Sequence, residues 1–160
     1  MINARVETVT SRPAFRAALK QRRCLIPANG FYGWKGKAGN KHPYYFQLPC
    51  CEPFAFAGLY ELWEDTEAPP ETGPPYTSCT IITTDAGDSV KDVHTRMPLI
   101  LKPESYTEWM NPENKQPTRI EEIMKSGFVS GLECYPVSKL VNQVGNNKKE
   151  CMEALKDSRG

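Results

Sequence analysis

The spacing of apolar and polar side chains changes several times along the chain, and each change marks an element. Asn3–Thr8 alternates with a period of two, as a half-buried strand does. Ser11 and Pro13 then open an alanine-rich run with Phe15 and Leu19 four apart, which predicts a helix over Pro13–Gln21. Cys24–Pro27 and Phe31–Lys35 read as strands around the turn Ala28-Asn29-Gly30, and Pro43–Leu48 and Phe54–Trp63 as two more. Glu64–Pro75 turns to Glu, Asp, Pro, Thr and Gly, the composition of an exposed, mobile loop. Thr77–Thr84 is an Ile- and Thr-rich strand, Ala86–Val93 has room for one helical turn, and Pro98–Leu101 is a short buried strand. Pro103 starts a helix that puts Tyr106 and Trp109 on one face and runs through Met110; a further helix covers Thr118–Lys125 and stops at Gly127. Glu133–Val137 is the last strand, and the polar tail after Asn142 is expected to be loosely held. Short strands with turn signals and a few helices define the α+β class, with a curved, largely antiparallel, barrel-like sheet and flanking helices.

Length and composition narrow the class. At 160 residues and 39% hydrophobic content the chain is long enough to bury a core as a single domain over residues 1–160. No stretch approaches the ~18 consecutive apolar residues of a membrane span. The N-terminus Met1-Ile2-Asn3-Ala4-Arg5 has no apolar signal-peptide region either. These features predict a protein with no membrane partner, in the cytoplasm. The six cysteines, Cys24, Cys50, Cys51, Cys79, Cys134 and Cys151, contain no C-x-x-C, and two histidines are too few to complete a zinc site. No metal and no cofactor is expected.

A net charge of +1 conceals a segregation. Between Glu7 and Glu52 there is no acidic residue, while Arg12, Arg16, Lys20, Arg22, Arg23, Lys35, Lys37 and Lys41 lie inside that gap. From Glu52 to Asp88 every charged residue is acidic. Such a pattern builds either a basic face that attracts polyanions or two surfaces that neutralise each other within the fold. Candidate chemistry sits in Asp92-Val93-His94-Thr95-Arg96-Met97-Pro98, where an imidazole and a guanidinium two residues apart on extended chain share a side. That pair suits holding a phosphate beside a proton-transfer group. The plainer reading makes His94 a loop residue and Arg96 a surface charge.

Six ordered segments resemble one family. They are Asn3-Ala-Arg-Val-Glu-Thr, Arg23-Cys-Leu-Ile-Pro-Ala-Asn-Gly-Phe-Tyr-Gly-Trp-Lys, Phe56-Ala-Gly-Leu-Tyr-Glu-Leu-Trp, Thr80-Ile-Ile-Thr-Thr-Asp-Ala, Val93-His-Thr-Arg-Met-Pro and Pro136-Val-Ser-Lys-Leu-Val-Asn. Together they resemble the SRAP family, the SOS-response-associated peptidase or abasic-site-processing proteins, over almost the whole chain. The resemblance implies binding of single-stranded DNA at abasic sites in the DNA-damage response, at the nucleoid. It also implies covalent crosslinking through a cysteine next to the initiator methionine, and autoproteolytic removal of that methionine. An α-amine of pKa ~8 is partly neutral at pH 7 and condenses with the abasic aldehyde; the neighbouring thiol then closes a thiazolidine. Residue by residue, the resemblance assigns Asn3 as the active-site asparagine and His94 as the acid/base. It assigns Arg5 and Arg96 to the flanking phosphates. From charge alone, the basic stretch Arg12 to Arg23 is expected to extend the binding groove.

Two departures from the family pattern bear on activity. Members open with Met-Cys-Gly-Arg upstream of the segment seen here, so the chain is expected to be N-terminally incomplete relative to the family, with an upstream segment or separate fragment as a partner completing the fold. Where the family motif reads Phe-Tyr-Glu-Trp, this chain has Phe31-Tyr32-Gly33-Trp34, and glycine carries no proton. Crosslinking is therefore expected to be impaired. The alternatives are a single-stranded-DNA-binding module without catalysis and a degenerate fragment. A cysteine protease pairing His94 with Cys24 or Cys79 is disfavoured, because a thiol in an apolar strand has its pKa raised.

Overall fold

A computed structural model describes residues 1–63, 76–126, 129 and 131–155. The 64–75 loop and the Gly127 helix stop lie outside these residues. The chain forms two compact units, the first from Met1–Pro27, Ala55–Thr84 and Pro98–Val129, the second from Ala28–Phe54, Asp85–Met97 and Ser130–Gly160.

In the first unit, strands β1 (Asn3–Arg5), β2 (Arg23–Ala28), β5 (Phe54–Trp63) and β6 (Tyr76–Asp85) lie in the order β1-β6-β5-β2. The β5–β6 pair is antiparallel, from Gly58 opposite Ile81 to Trp63 opposite Tyr76. At its other end β5 changes partner and pairs with β7 (Ile100–Leu101) at Ala55 and Phe56. Leu99 joins the fork, accepting from the Ala57 N–H and donating to the Ile82 carbonyl, both at 2.8 Å. The expected α+β class and largely antiparallel sheet are what the chain forms, while β1 runs parallel to β6, Ala4 opposite Ile82. β1 is also shorter than the alternation suggested, because the Val9 N–H turns back to the Arg5 carbonyl at 2.9 Å.

The three helices match their sequence signals. α1 (Pro13–Gln21) starts at its proline and buries Phe15, Ala18 and Leu19. α2 (Tyr106–Met110) follows a single 3₁₀ turn at Pro103–Ser105, and α3 (Pro117–Ser126) buries Ile120, Ile123 and Met124. These side chains close one core with Val9, Ala57, Leu59, Ile82, Leu99, Leu101 and Trp109. No helix among the described residues is long and apolar enough to cross a membrane.

One buried charge sits in that core. Arg23, 6% exposed, donates from Nε to the Trp109 carbonyl at 2.6 Å, from Nη1 to Leu19 at 2.7 Å and Lys20 at 3.1 Å, and from Nη2 to Asn111 at 2.5 Å. Its guanidinium lies over the Trp109 ring, 5.6 Å from the centroid, and the indole N–H donates to the Cys24 carbonyl at 2.9 Å. The carbonyls it serves are those that the ends of α1 and α2 leave without intrahelical partners.

The second unit holds a three-stranded antiparallel sheet, β3 (Phe31–Lys35), β4 (His42–Gln47) and β8 (Glu133–Pro136), in that order. Phe31 stacks on Phe46 at 4.9 Å. Gly30 has to be glycine, since a Cβ there would overlap the Tyr45 ring and the Phe46 carbonyl. Residues 143–155 are held down more firmly than their polarity suggested. They carry a 3₁₀ turn at Lys149–Cys151 with Cys151 buried, and Ala154 bridges to Val137.

Arg23→Met keeps the apolar stem and strips the donors from four backbone carbonyls. Stability in a urea titration should fall by about 3 kcal/mol or more. An unchanged midpoint would show that these carbonyls find other partners.

Candidate functional site: a basic cleft at His94

Four residues carry the sequence-level site, and they fall in both units. In the first unit, strand alternation puts Asn3 and Arg5 on the exposed face of β1 with Ala4 buried between them. The strand is pinned to β6 on its main chain, with Ile81 N–H donating to Ile2 and Val6 N–H to Thr83, and by the Thr80 and Thr83 hydroxyls, which donate to the Met1 and Ala4 carbonyls. Asn3 and Arg5 thus hang from a fixed backbone.

In the second unit, residues 86–95 form a closed run of hydrogen-bonded turns that includes a single helical turn, the Lys91 N–H donating to the Gly87 carbonyl at 3.0 Å. Val93 and His94 donate back to the Val90 carbonyl, and Ala86 donates to Thr95. Val90, 1% exposed, anchors the turn. His94 and Arg96 do come together, but through the imidazole and the arginine main chain. The Arg96 N–H donates to His94 Nδ1 at 3.0 Å, and the Arg96 carbonyl lies at the same distance from that nitrogen. The guanidinium itself is paired with Asp85 at 2.6 Å and is largely covered.

The doubled contact at Nδ1 matters chemically. When Nδ1 carries a lone pair it accepts from the Arg96 N–H, and when it carries a proton it donates to the Arg96 carbonyl. Either tautomer and the imidazolium therefore keep a partner, and Nε2 can present a proton or a lone pair without the ring losing its anchor.

His94 lines a cleft of 760 Å³ with Trp34, Gly39, Lys41, Lys139, Val141, Asn142 and Val144. It contains two lysines and no acid. Trp34, at the end of β3, is 36% exposed and donates from Nε1 to Asn142 Oδ1 at 2.8 Å, which fixes the indole plane. Asn142 belongs to a 3₁₀ turn, Lys139–Asn142, capped by Ser138, whose hydroxyl accepts from the Leu140 N–H. Trp34, Lys41, Lys139 and Asn142 were not singled out as site residues from sequence. The signal available was their presence in or beside segments that also carry the family resemblance.

Gly33 precedes Trp34 and is buried. A Cβ there would stand 3.0 Å from Phe46 Cε2 and 3.3 Å from Val93 Cγ1, so a side chain at this position heads toward the residue before His94. No carboxylate lines the cleft beside the imidazole. Among the described residues no cluster of three or more His, Cys, Asp or Glu could hold a metal. The Cys24 thiol is pushed up by burial and further by Cys79, and Cys134 is pushed up by burial, opposite to what a nucleophile requires.

The chain belongs to the SOS response associated peptidase (SRAP) family, whose model matches residues 1–144. It is 43% identical over 155 residues to the abasic site processing protein YoaM of Bacillus subtilis (strain 168), covering 96% of this chain and 66% of that protein. It is 31% identical over 172 residues to the abasic site processing protein HMCES of Xenopus tropicalis, covering 96% of this chain and 50% of that one. The chain thus spans about two thirds of the first relative's length and half of the second's. Its fold matches the crystal structure of a protein from Bacteroides thetaiotaomicron at a TM-score of 0.82 and 27% identity, over 96% of this chain and 66% of that one. The resemblance carried by the six segments is thereby established.

Because Phe46 is fully buried and stacked on Phe31, it has little room to yield. Gly33→Ala should cost about 1–3 kcal/mol in thermal or urea unfolding. No loss would mean that Phe46 gives way freely and that the position tolerates a side chain.

Proposed function

We propose that the chain is a DNA-damage-response protein that binds single-stranded DNA at abasic sites, with the covalent chemistry of its family impaired. The observation that carries the reading is the acid-free cleft in which the tautomer-tolerant His94 imidazole stands among Trp34, Lys41 and Lys139. A neutral indole face suits an unstacked base, and the lysines suit the phosphodiester backbone.

In this reading Arg5 and Arg96 take the phosphates on either side of the lesion. Arg96 exchanges or shares Asp85 as it does so. His94 gives a proton from Nε2 to the sugar ring oxygen as its bond to C1 breaks, and the C1 hydroxyl releases its proton to water as the aldehyde forms. Asn3 offers one amide donor pair and one acceptor to the opened sugar. Gly33 leaves the second acid/base position without a proton carrier, which favours binding over crosslinking.

Single-stranded DNA carrying one abasic site tests this in two readouts. Anisotropy should show binding, and a denaturing gel should show little or no covalent band. Arg96→Ala should weaken binding on every base sequence and make the plot of log affinity against log salt shallower by about 0.7. No binding by the unaltered chain would refute the reading, and a strong covalent band would refute the impairment.

A further inference from the structure

The sequence grouped Arg12 to Arg23 as one basic stretch, and the structure divides it. Arg23 is buried on backbone carbonyls, and Arg22 is paired with Glu61 at 2.7 Å. Arg12, Arg16 and Lys20 remain, all exposed and four residues apart, Arg12 as the N-cap of α1 and the other two within it. Arg16 and Lys20 stack one turn apart, ~6 Å, and Arg12 stands at the start of the same line. Arg16 reaches the Ser11 carbonyl at 3.4 Å, and none of the three forms an ion pair with a carboxylate among the described residues. Other cations of the chain do: Arg119 pairs with Glu108 and Glu122, Lys125 with Glu121, Lys91 with Asp88.

Beside the cationic row runs a low one. Pro13, Ala17 and Gln21 occupy the adjacent line of the helix, and with Arg16 and Lys20 they border a shallow concavity of 380 Å³. The third side of the helix, Phe15, Ala18 and Leu19, is committed to the core, so this surface cannot roll away. The first turn contains no acidic residue, which leaves the positive end of the helix uncompensated. A solvated helix face ordinarily mixes both signs of charge; this one carries a single sign along a shallow track.

We infer that the exposed face of α1 is a second, sequence-independent contact surface for the nucleic-acid phosphate backbone, taking the strand along the Pro13–Ala17–Gln21 track with Arg12, Arg16 and Lys20 on its phosphates. The match is one of charge: a row of like-signed cations faces a backbone that carries one negative charge per nucleotide. Phosphate contacts of this kind position a strand without reading its bases. The inference rests on the preceding reading of the chain as a DNA-binding protein, and it adds a footprint longer than the lesion.

The test compares the unaltered chain with the variant Arg12→Gln/Arg16→Gln/Lys20→Gln. A control, Lys91→Gln/Lys115→Gln/Lys125→Gln, removes the same charge from lysines already paired with carboxylates. Circular dichroism verifies that each is folded. Affinity for a short and a long abasic single strand is measured by anisotropy across a salt series. The expected result is a salt slope shallower by about 2 for the α1 variant on the long strand, with the short strand and the control little changed. An unchanged slope on the long strand, or an equal change in the control, overturns the α1 contact while leaving DNA binding in place. Failure of the unaltered chain to bind either strand overturns the preceding reading and this inference together.

Discussion

A buried guanidinium with no carboxylate partner among the described residues ties two helix ends of the first unit together. Arg23 meets the ends of two helices through four carbonyl oxygens and covers the Trp109 ring. Helix C-termini carry partial negative charge, so the two ends act as a diffuse counter-ion. Burial pulls the Arg23 pKa below its usual value, yet an arginine keeps its proton under any folding condition. The arrangement fixes the roll of α1, and with it which cations meet solvent and which do not.

Much of this was legible in the sequence because local signals and tertiary packing agree. The proline at the start of α1, the Phe15/Leu19 spacing and the Ile- and Thr-rich β6 each describe their element, and the six segments carry the family. What escaped were pairings between distant residues. The Trp34–Asn142 bond spans 108 positions, and the parallel β1–β6 pair joins residues as far apart as Ala4 and Ile82, so no window of sequence contains either. Charge counting failed for the same reason. Arg22, Arg23 and Arg96 look like free cations in the sequence, and the fold gives each a different partner.

The site shows the same division. That His94 and Arg96 belong together is readable from their spacing, but not the manner of it. The imidazole takes the Arg96 main chain, and the guanidinium goes to Asp85. Gly33 is a gap in the acid/base chemistry when read as a motif. In three dimensions it is also a packing position, closed by Phe46 and Val93. A Cβ added there would meet Phe46 Cε2 at 3.0 Å and Val93 Cγ1 at 3.3 Å.

The most direct test of DNA recognition at the His94 cleft is a nitrogen-15 NMR titration with a single-stranded oligonucleotide carrying an abasic site. Recognition at this cleft should make the Trp34 indole N–H, the His94 ring nitrogens and the amides of residues 94–96 and 139–142 shift together and saturate at one affinity. Saturating shifts that leave these resonances in place would contradict it.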